Sequence, residues 1–210
     1  MTFDQLIELL QKNKYIYSVI VLAVFFLLSE LVVIISKKVI LKLTKKTKTE
    51  VDDLIIKKIN KPISWILLFI GIRIAVLQLG IKESVLNPIQ HLLSSLIVVI
   101  VTYIAMGIID IIIDNWGKKI AEKTESSIDD QILPVFHKFS RIFISIIGLL
   151  FVLPIWGVQI GHLLTSLGIA GVAVAFALQS SLANIFGGVS MIIDKSLKVG
   201  DKVKIDAETT

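Results

Sequence analysis

Five apolar runs limit what this chain can fold into more than any other feature. Four cover residues 16–36, 62–81, 89–113 and 139–158, and the fifth is the Gly/Ala-rich stretch 161–194. An apolar run of about 20 residues, wound as a helix, matches the ~30 Å hydrocarbon core of a bilayer. Inside lipid each backbone N–H and C=O must find a partner within the protein, which leaves helices or closed barrels. Runs this long and this continuous choose helices. The composition agrees: 55% of the 210 residues are apolar, and the mean hydropathy is +0.85. The fold class expected is therefore an all-α integral membrane protein with five transmembrane helices.

The net charge of +5 does not call for a nucleic-acid partner. Its lysines gather in alternate loops, where topology accounts for them. Nine lie between Lys37 and Lys61, and Lys118, Lys119, Lys123, Lys138 and Arg141 follow the third run. Lys195, Lys198, Lys202 and Lys204 follow the last. The opposite side holds Lys82 and little else. Cytoplasmic loops are the Lys/Arg-rich ones, so the N-terminus is expected outside and the C-terminus inside. Residues 1–15 are expected to form an interfacial segment. They carry no small-residue cleavage signal of a leader peptide. There is no cysteine, hence no disulfide.

The stretch 161–194 differs from the other four. At 100° per residue, Thr165, Ile169, Val172, Phe176 and Gln179 share one face. Ala170, Ala173 and Ala177 line one flank, and Gly168, Gly171 and Ala175 the other. Small residues let helices approach closely in lipid, so the alanine flank of one copy fits the glycine flank of the next. A contact between two different flanks is heterologous and closes into a ring rather than a dimer. The remaining face then points at the ring axis, with Val172 and Phe176 as an apolar constriction that can gate by dewetting. Gln179, Ser180 and Ser181 interrupt the apolar run. Beyond them Leu182, Ile185, Phe186, Val189, Ile192 and Ile193 recur at helical spacing. A break near 179–181 is expected, with a second, amphipathic helix lying near the membrane surface. From pattern alone, the small residues are also open to a role as packing glue within one subunit, the channel reading being the preferred one.

The run GIAGVAVAFALQSSLANIFGGVSMIIDKSLKVGDKVKI resembles the third transmembrane helix and following strand of the small-conductance mechanosensitive channel (MscS) family. That resemblance covers about the last fifth of the chain. It implies a pore helix that is kinked, a constriction at Val172 and Phe176, and hinges at Gln179, Ser180 and Gly188. Ser180 stands where the best-known members have glycine. It also implies a homo-oligomer of seven copies, a tension-sensing paddle formed by the two spans before the pore helix, and a β-rich cytoplasmic domain after it. Residues 196–205 alternate like the first strand of that domain, and the chain is expected to be a shortened form that stops at Thr210.

An internal repeat runs through the rest. Val51-Asp52-Asp53 and Ile128-Asp129-Asp130 introduce corresponding spans, and the 77 positions separating Gly71 from Gly148 also separate Gly80 from Gly157 and Lys61 from Lys138. This describes a duplicated two-helix hairpin, the outer copy at 16–81 and the inner paddle at 89–158. The aspartate pairs are expected to start helices rather than bind metal. Arg73 lies inside a span and either snorkels to the headgroups or serves a function at depth; Glu30 and Asp110 are expected too far down to pair with it. His91, His137 and His162, read as scattered over loops, make no metal or catalytic spacing. No P-loop, nucleophile elbow or dinucleotide motif is present. No catalytic residue, metal site or cofactor is expected. The expected function is an ion channel of the inner or plasma membrane, gated by tension and releasing ions and small osmolytes on hypo-osmotic shock. Its partners are membrane lipids, copies of itself and the permeating ions, with no nucleic acid. The alternatives are a small secondary transporter built on the repeated hairpin, or a membrane interaction subunit without a pore.

Overall fold

The computed structural model describes residues 13–43, 50–121 and 128–194. Among them the apolar runs are helices: α1 (Lys14–Leu43), α2 (Glu50–Gln78), α3 (Glu83–Ala121), α4 (Ile128–Val152) and α5 (Gly161–Ile193), with a short 3-10 helix at Leu153–Trp156. All five are long and apolar enough to cross a membrane. The protein is an all-α, multi-pass membrane protein. Residues 1–12 of the interfacial segment expected at 1–15 lie outside the described residues, while Lys14 and Tyr15 already belong to α1; the strand expected at 196–205 also lies outside them.

The helices outlast the apolar runs that predict them. α1 carries Lys37, Lys38 and Lys42, and α2 carries Lys57, Lys58 and Lys61. These lysines therefore sit on helical ends rather than in loops. Nothing in the backbone requires a helix to stop where lipid stops. Pro62 marks the change from the lysine-bearing start of α2 to its apolar part, yet the helix runs through it. It does so without one backbone donor.

The chain divides into two compact units, Met1–Gln159 and Ile160–Thr210. In the first, α1 packs on α2, α2 on α3, and α3 on α4. Its core is thin: Ala75, Leu93 and Ile144 are the buried apolar residues among those described. Large side chains such as Phe26, Phe139, Phe143 and Phe151 are exposed. In water such a surface is untenable; in a bilayer it is the lipid contact.

The repeat expected from sequence has a structural counterpart. A Cβ on Gly71 of α2 would strike Phe25 of α1, and a Cβ on Gly148 of α4 would strike Thr102 of α3. Phe25 and Thr102 are themselves 77 positions apart, so repeat-related glycines accept repeat-related partners. Each hairpin also ends on a left-handed glycine, Gly80 at φ 67° and Gly157 at φ 78°. A Cβ disfavours that conformation. Space at Gly157 is open, and at Gly80 the near atom is the flexible tip of Lys14, so the penalty is the backbone's alone. Gly80→Ala and Gly157→Ala should each destabilise the protein by about 1 kcal/mol in unfolding titrations, and by similar amounts.

Candidate pore helix and inner hairpin

α5 is one uninterrupted helix of 33 residues. The break expected at Gln179–Ser181 is therefore absent, and with it the separate surface helix. Glutamine and serine change the polarity of the run but keep their backbone N–H groups, so the helical hydrogen-bond ladder continues through them. At 1.5 Å per residue α5 is about 50 Å long, well beyond the hydrocarbon thickness. Its final turns must leave the bilayer core or tilt strongly.

Continuity of the helix brings the sequence-predicted residues together. Thr165, Ile169, Val172, Phe176 and Gln179 follow one another at steps of three and four, so they form one stripe. Thr165 turns its hydroxyl onto the carbonyl of Gly161 at 3.0 Å, which takes that polar group off the stripe. Val172 is 56% and Phe176 71% exposed. On the flanks, a Cβ on Gly168 or Gly171 would meet nothing within 4 Å, and the same holds for Gly187 and Gly188. No residue of α5 is buried. The hinge candidates Gln179, Ser180 and Gly188 all lie within the helix.

The first unit holds a set of polar clasps between its helices. Ser18 donates to the Ala75 carbonyl at 2.9 Å. Arg73 donates from Nε to Gln90 Oε1 at 2.8 Å, and Gln90 Nε2 donates back to the Arg73 carbonyl at 2.9 Å. Arg73 is thus tied to α3, and its partner is an amide rather than a carboxylate. Trp156 Nε1 donates to Ser95 Oγ at 3.0 Å, with the His91 ring set edge-on to the Trp156 ring.

The densest clasp joins α3 to α4 and was not foreseen. His137 Nδ1 lies 2.7 Å from Asp110 Oδ1, and His137 Nε2 lies 2.8 Å from Asp114 Oδ1. Arg141 Nη2 donates to Asp110 Oδ2 at 3.0 Å. A neutral imidazole has one donor, so only the doubly protonated ring donates to both carboxylates at once. Two cations then face two anions, and the cluster is balanced. The three histidines lie in helices, not in loops: His91 in α3, His137 in α4 and His162 in α5. Among the described residues no group of His, Asp and Glu is arranged to hold a metal. The signal was available in the sequence, since Asp110/Asp114 and His137/Arg141 are both i, i+4 pairs on successive antiparallel helices. Asp110→Ala leaves both cations short of a carboxylate, whereas His137→Ala leaves the Arg141 pair intact. In thermal unfolding from nanodiscs, Asp110→Ala should cost about 2 kcal/mol and His137→Ala less.

The family model described as "Mechanosensitive ion channel, transmembrane helices 2/3" matches residues 138–179, most of α4 and the first half of α5. An MscS family protein of Aquifex aeolicus is 31% identical over 197 residues, 91% of this chain and 51% of that protein. The chain carries an MscS-family membrane region. Two further MscS-type relatives come from Methanocaldococcus jannaschii. The large-conductance mechanosensitive channel MscMJLR is 29% identical over 206 residues, 96% of this chain and 57% of the relative. The small-conductance mechanosensitive channel MscMJ is 30% identical over 193 residues, 92% and 55%. The chain thus spans about half the length of these relatives. No solved structure matches it. In the MscS frame, α4 and α5 take the places of transmembrane helices 2 and 3.

Proposed function

We propose that this chain is the membrane region of a homo-oligomeric channel, opened by bilayer tension and releasing ions and small osmolytes on hypo-osmotic shock. The observation that carries the reading is α5: one helix with two small-residue flanks, open space at its glycines, and an apolar stripe through Val172 and Phe176. In a ring, Ala170, Ala173 and Ala177 of one copy seat against Gly168, Gly171 and Ala175 of the next. Val172 and Phe176 then close the axis by excluding water. Gln179, Ser180 and Gly188 are where α5 bends as it opens. The channel names of the two M. jannaschii relatives support this reading, and family resemblance supplies seven as the number of copies.

The inner hairpin α3–α4 acts as the tension sensor, and α1–α2 extends it into the lipid. Tension favours the state that occupies more membrane area. The lysine-rich ends face the cytoplasm, with the N-terminus outside, in the cell membrane. No enzymatic activity is assigned. A transporter built on the repeat would need helices broken at matching depths in both hairpins, whereas α1 to α4 are each continuous among the described residues.

The cysteine-free sequence makes the ring directly testable. Ala173→Cys and Gly171→Cys on the same chain should crosslink into a ladder of oligomers ending at the ring, and neither single variant should do so. A product stopping at monomer or dimer would overturn the ring.

A further inference from the structure

A cleft of about 530 Å³ lies between α2 and α3, where the outer hairpin meets the inner one. Its walls change character along the helix axis. Lys57, Lys58 and Lys61 line one end, and Trp65, Val99 and Ile100 the other, with Tyr103 between. Lys58 Nζ sits 5.1 Å from the centre of the Tyr103 ring. All three lysines are exposed, as are Trp65 and Tyr103. From Lys57 to Trp65 is about 12 Å along the helix. The cleft therefore passes from three ammonium groups to an apolar, aromatic trough within that length. The acidic residues of α2, Glu50, Asp52 and Asp53, come before the lysines in the chain, on the side away from the trough.

We propose that this cleft is a binding site for one anionic phospholipid, its phosphate held by Lys57, Lys58 and Lys61 and an acyl chain laid along Trp65, Val99, Ile100 and Tyr103. Three features select this occupant. The cleft is lined by two helices long and apolar enough to cross a membrane, and its Trp65 and Tyr103 are exposed, so a lipid can reach it from within the membrane. Its polarity gradient has the direction of a phospholipid, with a charged headgroup at the helix ends and hydrocarbon deeper. The charged residues that line it are all lysines, which favours an anionic headgroup over a zwitterionic one. A lipid seated there fills the seam between the two hairpins and couples them. The site rests on α2 and α3 alone, so it stands or falls independently of whether α5 lines a pore.

The test is native mass spectrometry of the purified protein, delipidated and then titrated with dioleoylphosphatidylglycerol or dioleoylphosphatidylcholine. The wild-type protein should retain the glycerol lipid, one per subunit, and release the choline lipid. Lys57→Gln or Lys61→Gln should weaken retention about fivefold, and the pair roughly twentyfold. Trp65→Ala should also weaken it, by removing the trough wall. Lys138→Gln, on the same basic side but outside the cleft, should leave it unchanged. Equal retention of the two lipids, or an equal loss from Lys138→Gln, would overturn the site as a specific one. Displacement of the lipid by inorganic phosphate would reduce it to a simple anion site and overturn the phospholipid assignment.

Discussion

Serine in place of Phe176 should lower the membrane tension at which the channel opens, and serine in place of Val172 should do so by a smaller step. The two positions occupy one stripe of α5, one turn apart, with their side chains exposed. A constriction that closes by excluding water depends on how poorly its lining is hydrated. Exchanging a phenylalanine for a hydroxyl removes about 2 kcal/mol of apolar transfer free energy in each copy, and a ring multiplies that figure. Patches pulled by graded suction would measure the threshold. Val174→Ser is the matched control, since residue 174 lies about 200° around the helix from residue 172. An unchanged threshold in both Val172→Ser and Phe176→Ser would remove these residues from the constriction. Leucine at Gly171 or Ala175 addresses the flanks instead. It should block the sliding of one helix over the next and raise the threshold.

The second large effect belongs to the hairpins. Gly148→Leu should destabilise the α3–α4 hairpin by about 3 kcal/mol, because the first carbon of the new side chain already overlaps Thr102. Gly71→Leu should do the same to α1–α2 through Phe25. Thermal unfolding in nanodiscs would compare them. Since the two glycines are repeat-related, losses of similar size are the result that fits a duplicated hairpin. A Gly148→Leu protein that melts like wild type would contradict the packing described for the inner hairpin.

These positions show what a single sequence can and cannot reveal about such a protein. Five spans follow from length and polarity, because lipid imposes both on the chain. The repeat was legible because glycines at the same offset do the same two jobs, close packing and a left-handed turn. The stripe and flanks of α5 were legible because helical spacing alone generates them. The helix ends were misplaced because lysines past the bilayer still favour helix. A break at Gln179–Ser181 was expected because a change in polarity was taken for a change in backbone, and none of these residues breaks a helix. The clasp of His137 with Asp110, Asp114 and Arg141 was missed for another reason. Each pair is unremarkable on its own helix, and the cluster exists only once α3 and α4 lie antiparallel in the right register.

Whether α5 lines a tension-gated pore can be read from a single recording. The cysteine-free background allows Val172→Cys and Val174→Cys to be studied one at a time. Each would be recorded in liposome patches under graded suction, with a charged, membrane-impermeant thiol reagent in the bath. Stepwise currents should appear above a pressure threshold in both variants, with the reagent altering the Val172→Cys current once tension has opened the channel and leaving the Val174→Cys current unchanged. Crosslinked rings that stay silent up to the rupture of the patch would contradict a pore lined by α5, as would a reagent effect at position 174 and none at position 172.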